Sequence, residues 1–279
     1  MQNSDFFKNI SLHVNWSGMI QEFPSGRHLA ALPSVSKVGV CEQLAAETSK
    51  MVEREKPFAV IGGDHSCAIG TWSGVAKALR SKGDLGLIWI DAHLDAHTPE
   101  SSDTGNIHGM PVAHLLGHGA KELCEIGDKL PKILPKNMAF IGIRSYEPPE
   151  KKLLEELGTR VFYIEEVNQK GIDTCFKEAI ETVTKNTVGY GISIDIDGFR
   201  VSDAPAVGTP VEGGIVAADF LHSMKKQNLS KLIGLEVVEF LPKFDDANKT
   251  SERLVANLIE TIYRRRFELF GLRESAHQG

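Results

Sequence analysis

Four ionisable side chains stand at a strict spacing of two within one stretch of the sequence, residues 85–110. An apolar segment, LGLIWI, leads directly into them: Asp91, His93, Asp95 and His97. Residues two apart in an extended chain project from the same face, so these side chains lie together. Burying each charge at the end of a strand costs on the order of several kcal/mol unless a counter-charge compensates it. A bound metal cation provides that compensation, and the stretch therefore predicts a metal site.

Two more apolar segments end in the same types of side chain. The segment YGISIDID ends in Asp195 and Asp197, and the segment AVIGGDHS runs into Asp64 and His65. In an open parallel α/β sheet the carboxyl ends of the strands line the ligand crevice. We therefore expect these strand ends to converge with the first stretch at one edge of a sheet.

The charges of these residues favour a pair of divalent ions. Two divalent cations would balance four ionised aspartates, which are Asp91, Asp95, Asp195 and Asp197. His65 and His93 add neutral nitrogen donors. A donor set rich in oxygen, with imidazole and without thiolate, suits Mn²⁺, with Zn²⁺, Co²⁺ or Fe²⁺ as alternatives. Two such ions, about 3.5–4 Å apart, hold a bridging hydroxide at neutral pH, and that hydroxide is a nucleophile.

Alternating strands and helices must position these residues. Apolar runs predict strands at residues 58–61, 85–90, 138–143, 160–164, 188–194 and 232–238. Helical periodicity predicts helices at residues 36–56, 66–81, 150–157, 172–184, 216–226 and 251–267. This order is typical of a three-layer α/β/α sandwich around a mainly parallel sheet. We expect one domain spanning residues 1–279, in which residues 1–36 are poorly defined apart from a strand predicted at 12–16. The long polar loop at 92–108 is predicted to be functional because of its length.

Composition and charge exclude several classes of protein. The chain of 279 residues is 42% hydrophobic and 24% charged, and its formal net charge is −6. Without a basic stripe, neither nucleic acid nor an anionic membrane is expected as a partner. No run of about 18 apolar residues occurs, and the first residues lack the pattern of a signal peptide. The cysteines form no CxxC pair, so we expect reduced thiols and a cytoplasmic location; they are Cys41, Cys67, Cys124 and Cys175.

The polar motifs together resemble those of a known family. GGDHS, DAHLDAH, GNIHGMP, SIDIDG and VGTP occur in this order, and the resemblance extends over residues 36–265. The set resembles the ureohydrolases, and most closely the arginases, a family with an arginase/deacetylase-like α/β/α fold that hydrolyses guanidino groups at two manganese ions. The resemblance implies that one ion is held by His65, Asp91, Asp95 and Asp197. It implies that the other ion is held by His93, Asp91, Asp95 and Asp195.

The resemblance also implies catalytic roles for three residues. His108, in GNIHGMP, is similar to the family's mobile histidine, which moves protons between solvent and the site. An imidazole suits that task because its unperturbed pKa is about 6.5. Glu239 is similar to the glutamate that holds the guanidinium, whose planar fork matches a carboxylate. Asp95 would orient the hydroxide and deliver a proton to the leaving amine.

A further set of residues is implied in binding the amino-acid end of the substrate. Thr104, Asn106 and Thr209 correspond to positions at which arginases contact this end. Glu147 and Glu150, in RSYEPPE, correspond to an acidic pair that binds the α-amino group. Together these residues favour arginine over a decarboxylated analogue.

Three departures from the family pattern mark this sequence. His97 occupies the place of an asparagine that meets the α-carboxylate, although an imidazole can also donate to a carboxylate. The strand and Gly-rich loop that usually precede the first helix of the family are missing from this sequence. Finally, GFRVSDAP stands in place of an Asp-Pro pair. It predicts either a local change at Arg200 and Val201 or a loop that no longer holds Asp197.

These features favour a binuclear-metal amidinohydrolase that converts L-arginine to L-ornithine and urea through a metal-bridging hydroxide. An alternative keeps the chemistry and changes the substrate to agmatine, guanidinobutyrate or another guanidino compound, because of His97. A third hypothesis is a non-catalytic regulatory relative, which the presence of every ligand position disfavours. The resemblance implies a homo-oligomer, either a trimer or a hexamer.

Overall fold

A computed structural model describes residues 1, 3–20 and 33–271 of the chain. Within these residues, six parallel strands form one sheet in the order β1-β6-β5-β2-β3-β4. The predicted α/β class with a parallel sheet is therefore confirmed. The strands are β1 (Phe58–Ile61), β2 (Leu85–Ile90), β3 (Met138–Ile143), β4 (Arg160–Tyr163), β5 (Gly189–Asp195) and β6 (Leu232–Val238).

Helices connect and cover these strands. None of the helices in the described part of the chain has the length and apolar character needed to cross a bilayer. They are α1 (Asp5–Asn9), α2 (Pro33–Glu53), α3 (Cys67–Leu79), α4 (Pro111–Leu115), α5 (Lys121–Cys124), α6 (Pro148–Leu157), α7 (Ile164–Lys170), α8 (Ile172–Thr184), α9 (Ala217–Met224) and α10 (Thr250–Leu269).

Strand β2 shows how the sheet separates two helical layers. Its alternate residues enter different apolar clusters, because successive side chains of a strand point to opposite faces. Leu87 and Trp89 belong to a cluster with side chains of α3, whereas Ile88 and Ile90 belong to a cluster with side chains of α8, α9 and α10. All four side chains are fully buried. A strand covered on both faces is thus apolar throughout, as the sequence LGLIWI indicates.

Helix α3 starts just after the predicted ligand His65, and two glycines fix its position against α2. A methyl group added at Gly74 would lie 2.1 Å from the carbonyl oxygen of Ala45. One added at Gly70 would lie 2.5 Å from the carbonyl oxygen of Cys41. No side chain fits in either place, so glycine allows the two helices to approach closely.

The strand predicted at residues 12–16 is wrong. Residues 13–20 form no regular structure, and most of them are exposed. The backbone N–H of Ser11 donates to Glu260 of α10 at 3.0 Å. The Trp16 ring packs edge-on against Phe7, with 5.7 Å between centroids. Residues 11–20 therefore contact α1 and α10 at single points rather than extending the sheet.

Several helix boundaries also differ from the prediction. Helix α2 begins at Pro33, earlier than the predicted start, and proline suits the first turn of a helix. Helices α1, α4, α5 and α7 were not predicted. Helix α7 follows β4 directly and buries only Ile164 and Val167, so its apolar pattern is too short to stand out.

Candidate metal centre

Neighbouring strands bring the predicted ligands to one edge of the sheet. Strand β5 lies between β6 and β2, and β1 lies on the other side of β6. Asp195 is the last residue of β5, Asp91 directly follows β2, and His65 follows the turn after β1. Because these strands run in the same direction, their carboxyl ends meet at one edge.

His65 lies at the centre of a first group of side chains. Its Nδ1 is 3.1 Å from Asp91 Oδ2, 3.1 Å from Asp95 Oδ2 and 3.4 Å from Asp195 Oδ2. All of these side chains are buried. The His65 ring also stacks on the Trp89 indole, with 3.9 Å between centroids. The imidazole is thus held with one nitrogen facing carboxylate oxygens.

His93 forms a second group with two carboxylates. Its Nδ1 lies 3.1 Å from Asp197 Oδ2 and 3.4 Å from Asp91 Oδ1. Asp91 therefore faces His93 with one oxygen and His65 with the other. A carboxylate in this arrangement can bridge two ions.

The structure divides the aspartates differently from the division that the family resemblance implied. That division placed Asp197 with His65 and Asp195 with His93, and it placed Asp95 with both. Here Asp195 and Asp95 approach His65, while Asp197 approaches His93. Asp197 lies outside β5, in a 3₁₀ turn at Ile196–Gly198, and its carboxylate faces His93 while Asp195 stays beside His65. Which ion each carboxylate would bind stays a prediction.

Local hydrogen bonds orient the carboxylates. The backbone N–H of His93 donates to Asp91 Oδ1 at 2.7 Å, and the Trp89 indole N–H donates to Asp91 Oδ2 at 2.9 Å. The backbone N–H of Asp197 donates to Asp195 Oδ1 at 2.8 Å. Side chains that are already ordered lose less entropy when they bind a ligand.

The buried carboxylates disfavour one another's ionisation. Burial and the neighbouring Asp91 raise the pKa of Asp95 to about 7. Burial and Asp197 raise the pKa of Asp195 well above its ordinary value. Burial also favours the neutral form of His65, but the adjacent carboxylates dominate and raise its pKa well above the ordinary value. A cation placed among these groups would relieve their repulsion.

The donors fit a pair of divalent ions. Ligand atoms of His65, Asp91 and Asp195 lie within 4.8 Å of one another, and so do those of Asp91, His93 and Asp197. Asp91 belongs to both sets. The Nδ1 atom of His65 is buried among carboxylates and yet makes no hydrogen bond, as expected for a nitrogen that faces a cation. Carboxylate oxygens combined with imidazole suit Mn²⁺ and related first-row ions.

A buried polar network behind His65 was not predicted. The second ring nitrogen, Nε2, lies 3.0 Å from Ser193 Oγ, and Ser193 donates to Glu236 Oε2 at 2.7 Å. Thr71 and Trp72 also donate to the Glu236 carboxylate. Such outer partners fix the tautomer and orientation of a ligating histidine. A signal was present in the sequence, since Ser193 and Glu236 are polar residues with apolar neighbours on both sides in the chain.

Arg144, another residue that was not predicted, holds the loop after Asp197. Its guanidinium donates to the carbonyl oxygens of Asp197 at 2.8 Å, Val211 at 3.0 Å and Glu212 at 3.0 Å. In the same loop, the Thr209 hydroxyl donates to Asp197 Oδ2 at 3.1 Å. The departure from the family sequence in this loop thus leaves Asp197 beside His93.

Glu239 and His108, the other predicted catalytic residues, lie on different segments. Glu239 directly follows β6, and its Oε1 accepts a hydrogen bond of 2.9 Å from the backbone N–H of His65. Burial raises the pKa of Glu239. His108 is half-buried in a 3₁₀ turn, Ile107–Gly109. The Gly109 carbonyl accepts from the backbone N–H of His97 at 3.1 Å, which ties this turn to the predicted metal-binding stretch.

The residues predicted to bind the amino-acid end lie in separate places. Thr104 and Asn106 share an exposed turn, in which the Asn106 N–H donates to Thr104 Oγ1 at 3.2 Å. Thr209 contacts Asp197, as described above. The remaining predicted residues form a compact cluster of ligand atoms: His97, Glu147 and Glu150.

The fold and the two groups define a candidate binuclear metal protein with its site at the carboxyl edge of a parallel sheet. The model of the Arginase family matches residues 8–263. The arginase of Bacillus caldovelox is 43% identical over 77% of this chain and 71% of its own length. That of Bacillus subtilis (strain 168) is 40% identical over 79% of this chain and 73% of its own. The chain belongs to the arginase family.

Solved structures agree in fold. The Bacillus caldovelox arginase has a TM-score of 0.78 at 35% identity, covering 88% of this chain and 81% of that one. The Entamoeba histolytica arginase, in complex with L-ornithine, has a TM-score of 0.77 at 31% identity, covering 88% and 82%. The predicted family resemblance is thereby confirmed.

Proposed function

We propose that this chain is a binuclear-metal arginase that hydrolyses L-arginine to L-ornithine and urea. The observation that supports this most directly is the placement of Asp91, which faces His65 with one oxygen and His93 with the other. A shared carboxylate of this kind can hold two ions at the short separation typical of two-metal sites. Membership of the arginase family, and the L-ornithine bound to the Entamoeba histolytica arginase, support the choice of substrate.

The chemistry would be divided among residues at the strand ends. We propose that the ions are held by His65, Asp91, His93, Asp95, Asp195 and Asp197. Two divalent ions there would activate water for attack on a guanidinium carbon near neutral pH. Asp95 would orient the attacking water and pass a proton to the leaving amine, and His108 would exchange that proton with solvent.

Recognition of the substrate would rest on a carboxylate at each end. Glu239, fixed by the backbone N–H of His65, would bind the guanidinium, because a carboxylate matches its planar fork. Glu147 would bind the α-amino group. We propose that further contacts to the amino-acid end come from His97, Thr104, Asn106, Glu150 and Thr209.

Finer properties of the protein also belong to the proposal. We propose Mn²⁺ as the ion, with Co²⁺, Fe²⁺ or Zn²⁺ as alternatives, because the donors are mainly oxygen. We also propose one catalytic domain over residues 1–279, a homotrimer or homohexamer, and a cytoplasmic location. The cysteines support that location, because all four are free thiols, as in a reducing compartment.

Urea release and metal content together test the proposal. Wild-type protein incubated with Mn²⁺ should hold two ions per chain and release urea from L-arginine. Asp195→Asn should lose metal and activity together. Asp219→Asn, the same change at an exposed position of α9, should retain both. Full activity with one ion per chain would contradict the binuclear mechanism.

A second candidate keeps the chemistry and changes the substrate. His97, which stands where the family has an asparagine, favours a guanidino compound other than arginine, such as agmatine or guanidinobutyrate. Urea from one of these compounds and none from arginine would support this alternative.

A further inference from the structure

Both ring nitrogens of His97 are engaged by other residues of the protein. Its Nε2 bonds the Glu147 carboxylate and lies 3.5 Å from Glu150 Oε2. Its Nδ1 lies 3.0 Å from Ser101 Oγ, and only 9% of the residue is exposed. An imidazole has no further polar atoms. His97 therefore has no free N–H to donate to the carboxylate of a substrate.

Glu147 and Glu150 differ in how far the protein itself uses them. Glu150 is buried, and its oxygens accept from the backbone N–H groups of Ala96 at 3.0 Å and Glu147 at 2.9 Å. Its carboxylate thus serves the first turn of α6. The Glu147 side chain also accepts from the backbone N–H of Glu150 in the capping box of α6, but it is 70% exposed and is held by His97. Of the two carboxylates, Glu147 is the one open to a cationic ligand.

We propose that His97 determines specificity, because it makes this chain recognise the amino group of its substrate rather than the carboxylate. This inference rests on the proposed function. His97 holds the exposed carboxylate of Glu147 in place, so that less entropy is lost when an ammonium binds it. The same pairing takes away the donor that an asparagine at this position would offer to an α-carboxylate.

Two guanidino compounds follow as substrates of the same site. L-arginine and its decarboxylated analogue agmatine share the guanidinium and the amino group, which are the groups that Glu239 and Glu147 would bind. They differ in the carboxylate, for which His97 provides no donor, so that any contact to it would come from the exposed turn of Thr104 and Asn106. The chain therefore hydrolyses both, with only weak preference for arginine.

The test compares urea release from L-arginine, agmatine and 5-guanidinopentanoate, which is arginine without its α-amino group. For the Mn²⁺-loaded wild type, we expect kcat/KM for arginine and agmatine to agree within about tenfold, and 5-guanidinopentanoate to be much poorer. His97→Asn supplies a free amide donor, so the ratio of arginine to agmatine should rise about tenfold, through KM rather than kcat. His118→Asn, the same change at an exposed histidine outside the cluster, should leave the ratio unchanged.

A second variant keeps the test decisive if His97→Asn does not fold. Glu147→Gln alters an exposed side chain and should lower kcat/KM by about tenfold for both arginine and agmatine, without lowering it for 5-guanidinopentanoate. A wild-type preference for arginine above about tenfold, or an unchanged ratio in His97→Asn, overturns this inference and leaves the proposed function standing. No urea from any of the compounds, with ions bound, overturns both.

Discussion

Ser193→Ala tests whether the network behind His65 sets the affinity for metal. Ser193 is fully buried, and its hydroxyl lies between His65 Nε2 at 3.0 Å and Glu236 Oε2 at 2.7 Å. Removing this oxygen leaves the ring nitrogen unpaired, whereas Glu236 keeps its bonds from Thr71 and Trp72. Loss of an outer partner typically weakens metal binding by about 10- to 100-fold, or about 1.4–2.7 kcal/mol. We expect a loss in this range.

Calorimetric titration of the metal-free protein with Mn²⁺ measures this loss as a ratio of Kd values. The matched control is Ser73→Ala, because Ser73 is also fully buried and its hydroxyl makes no hydrogen bond. Unfolding of the metal-free variants in denaturant measures the separate cost to the fold, about 1–3 kcal/mol for an unpaired buried group. If Ser193→Ala binds Mn²⁺ as tightly as the wild type and Ser73→Ala, then Ser193 does not orient His65 and the reasoning is refuted.

Further predictions concern stability and metal. Asp128 accepts two hydrogen bonds from Arg80 and one from the buried Lys132, so Asp128→Asn should lower the free energy of unfolding at pH 7 by about 1–3 kcal/mol. Burial raises the pKa of Asp128, but Arg80 and Lys132 outweigh that effect and hold the pKa below its ordinary value. The stabilisation that Asp128 provides is therefore complete above about pH 4 and lost in more acidic solution. A difference in unfolding free energy between the wild type and Asp128→Asn that persists unchanged at pH 2 would contradict this prediction. Mn²⁺ at a hundred times its Kd should raise the unfolding free energy of the metal-free protein by about 2.7 kcal/mol per site; an unchanged Tm would count against a structural site. Arg144→Ala removes the bonds that hold the loop after Asp197 and should weaken Mn²⁺ binding in the same calorimetric assay, which unchanged binding would disprove.

The sheet could be predicted from the sequence because its central strands are covered on both faces. Strands β2 and β3 are buried at every position, so each is a continuous apolar run that stands out from its surroundings. Their parallel direction then implies that polar residues after each strand meet at one edge. Helix α7 escaped prediction because it buries only two side chains, and the strand predicted at 12–16 was wrong because isolated contacts, not a sheet, position these residues.

The predicted ligands lie close together in the structure, but the sequence could not show which carboxylate faces which histidine. A spacing of two predicts a shared face only while the chain remains extended, and the 3₁₀ turn at Ile196–Gly198 ends that condition before Asp197. The partners of His65 were hidden for a different reason. Ser193 is 128 positions away in the sequence, so its polar side chain had no visible partner before the strands were assembled.

Asp95 combines two features that reduce the stability of the fold. Its backbone φ of 51° lies in the left-handed region, which is uncommon for residues other than glycine. Burial and Asp91 raise the pKa of its carboxyl to about 7, so the ionised form is disfavoured in the folded protein. This destabilisation begins above the unfolded pKa of about 4, grows as the pH rises, and is complete above about pH 7.

Asp95→Asn should therefore stabilise the metal-free protein while weakening its binding of Mn²⁺. Asparagine tolerates the left-handed region about as well as aspartate, so the substitution changes the charge and little else. We expect the variant to be more stable by at least about 1 kcal/mol at pH 8, and by less at pH 5.5, when both proteins are unfolded in denaturant with EDTA. A wild type that is the more stable protein at pH 8 would mean that the fold satisfies this carboxylate without a cation. The expected result would instead mean that the chain retains a destabilising charge because bound metal compensates it, as is common where stability and function compete.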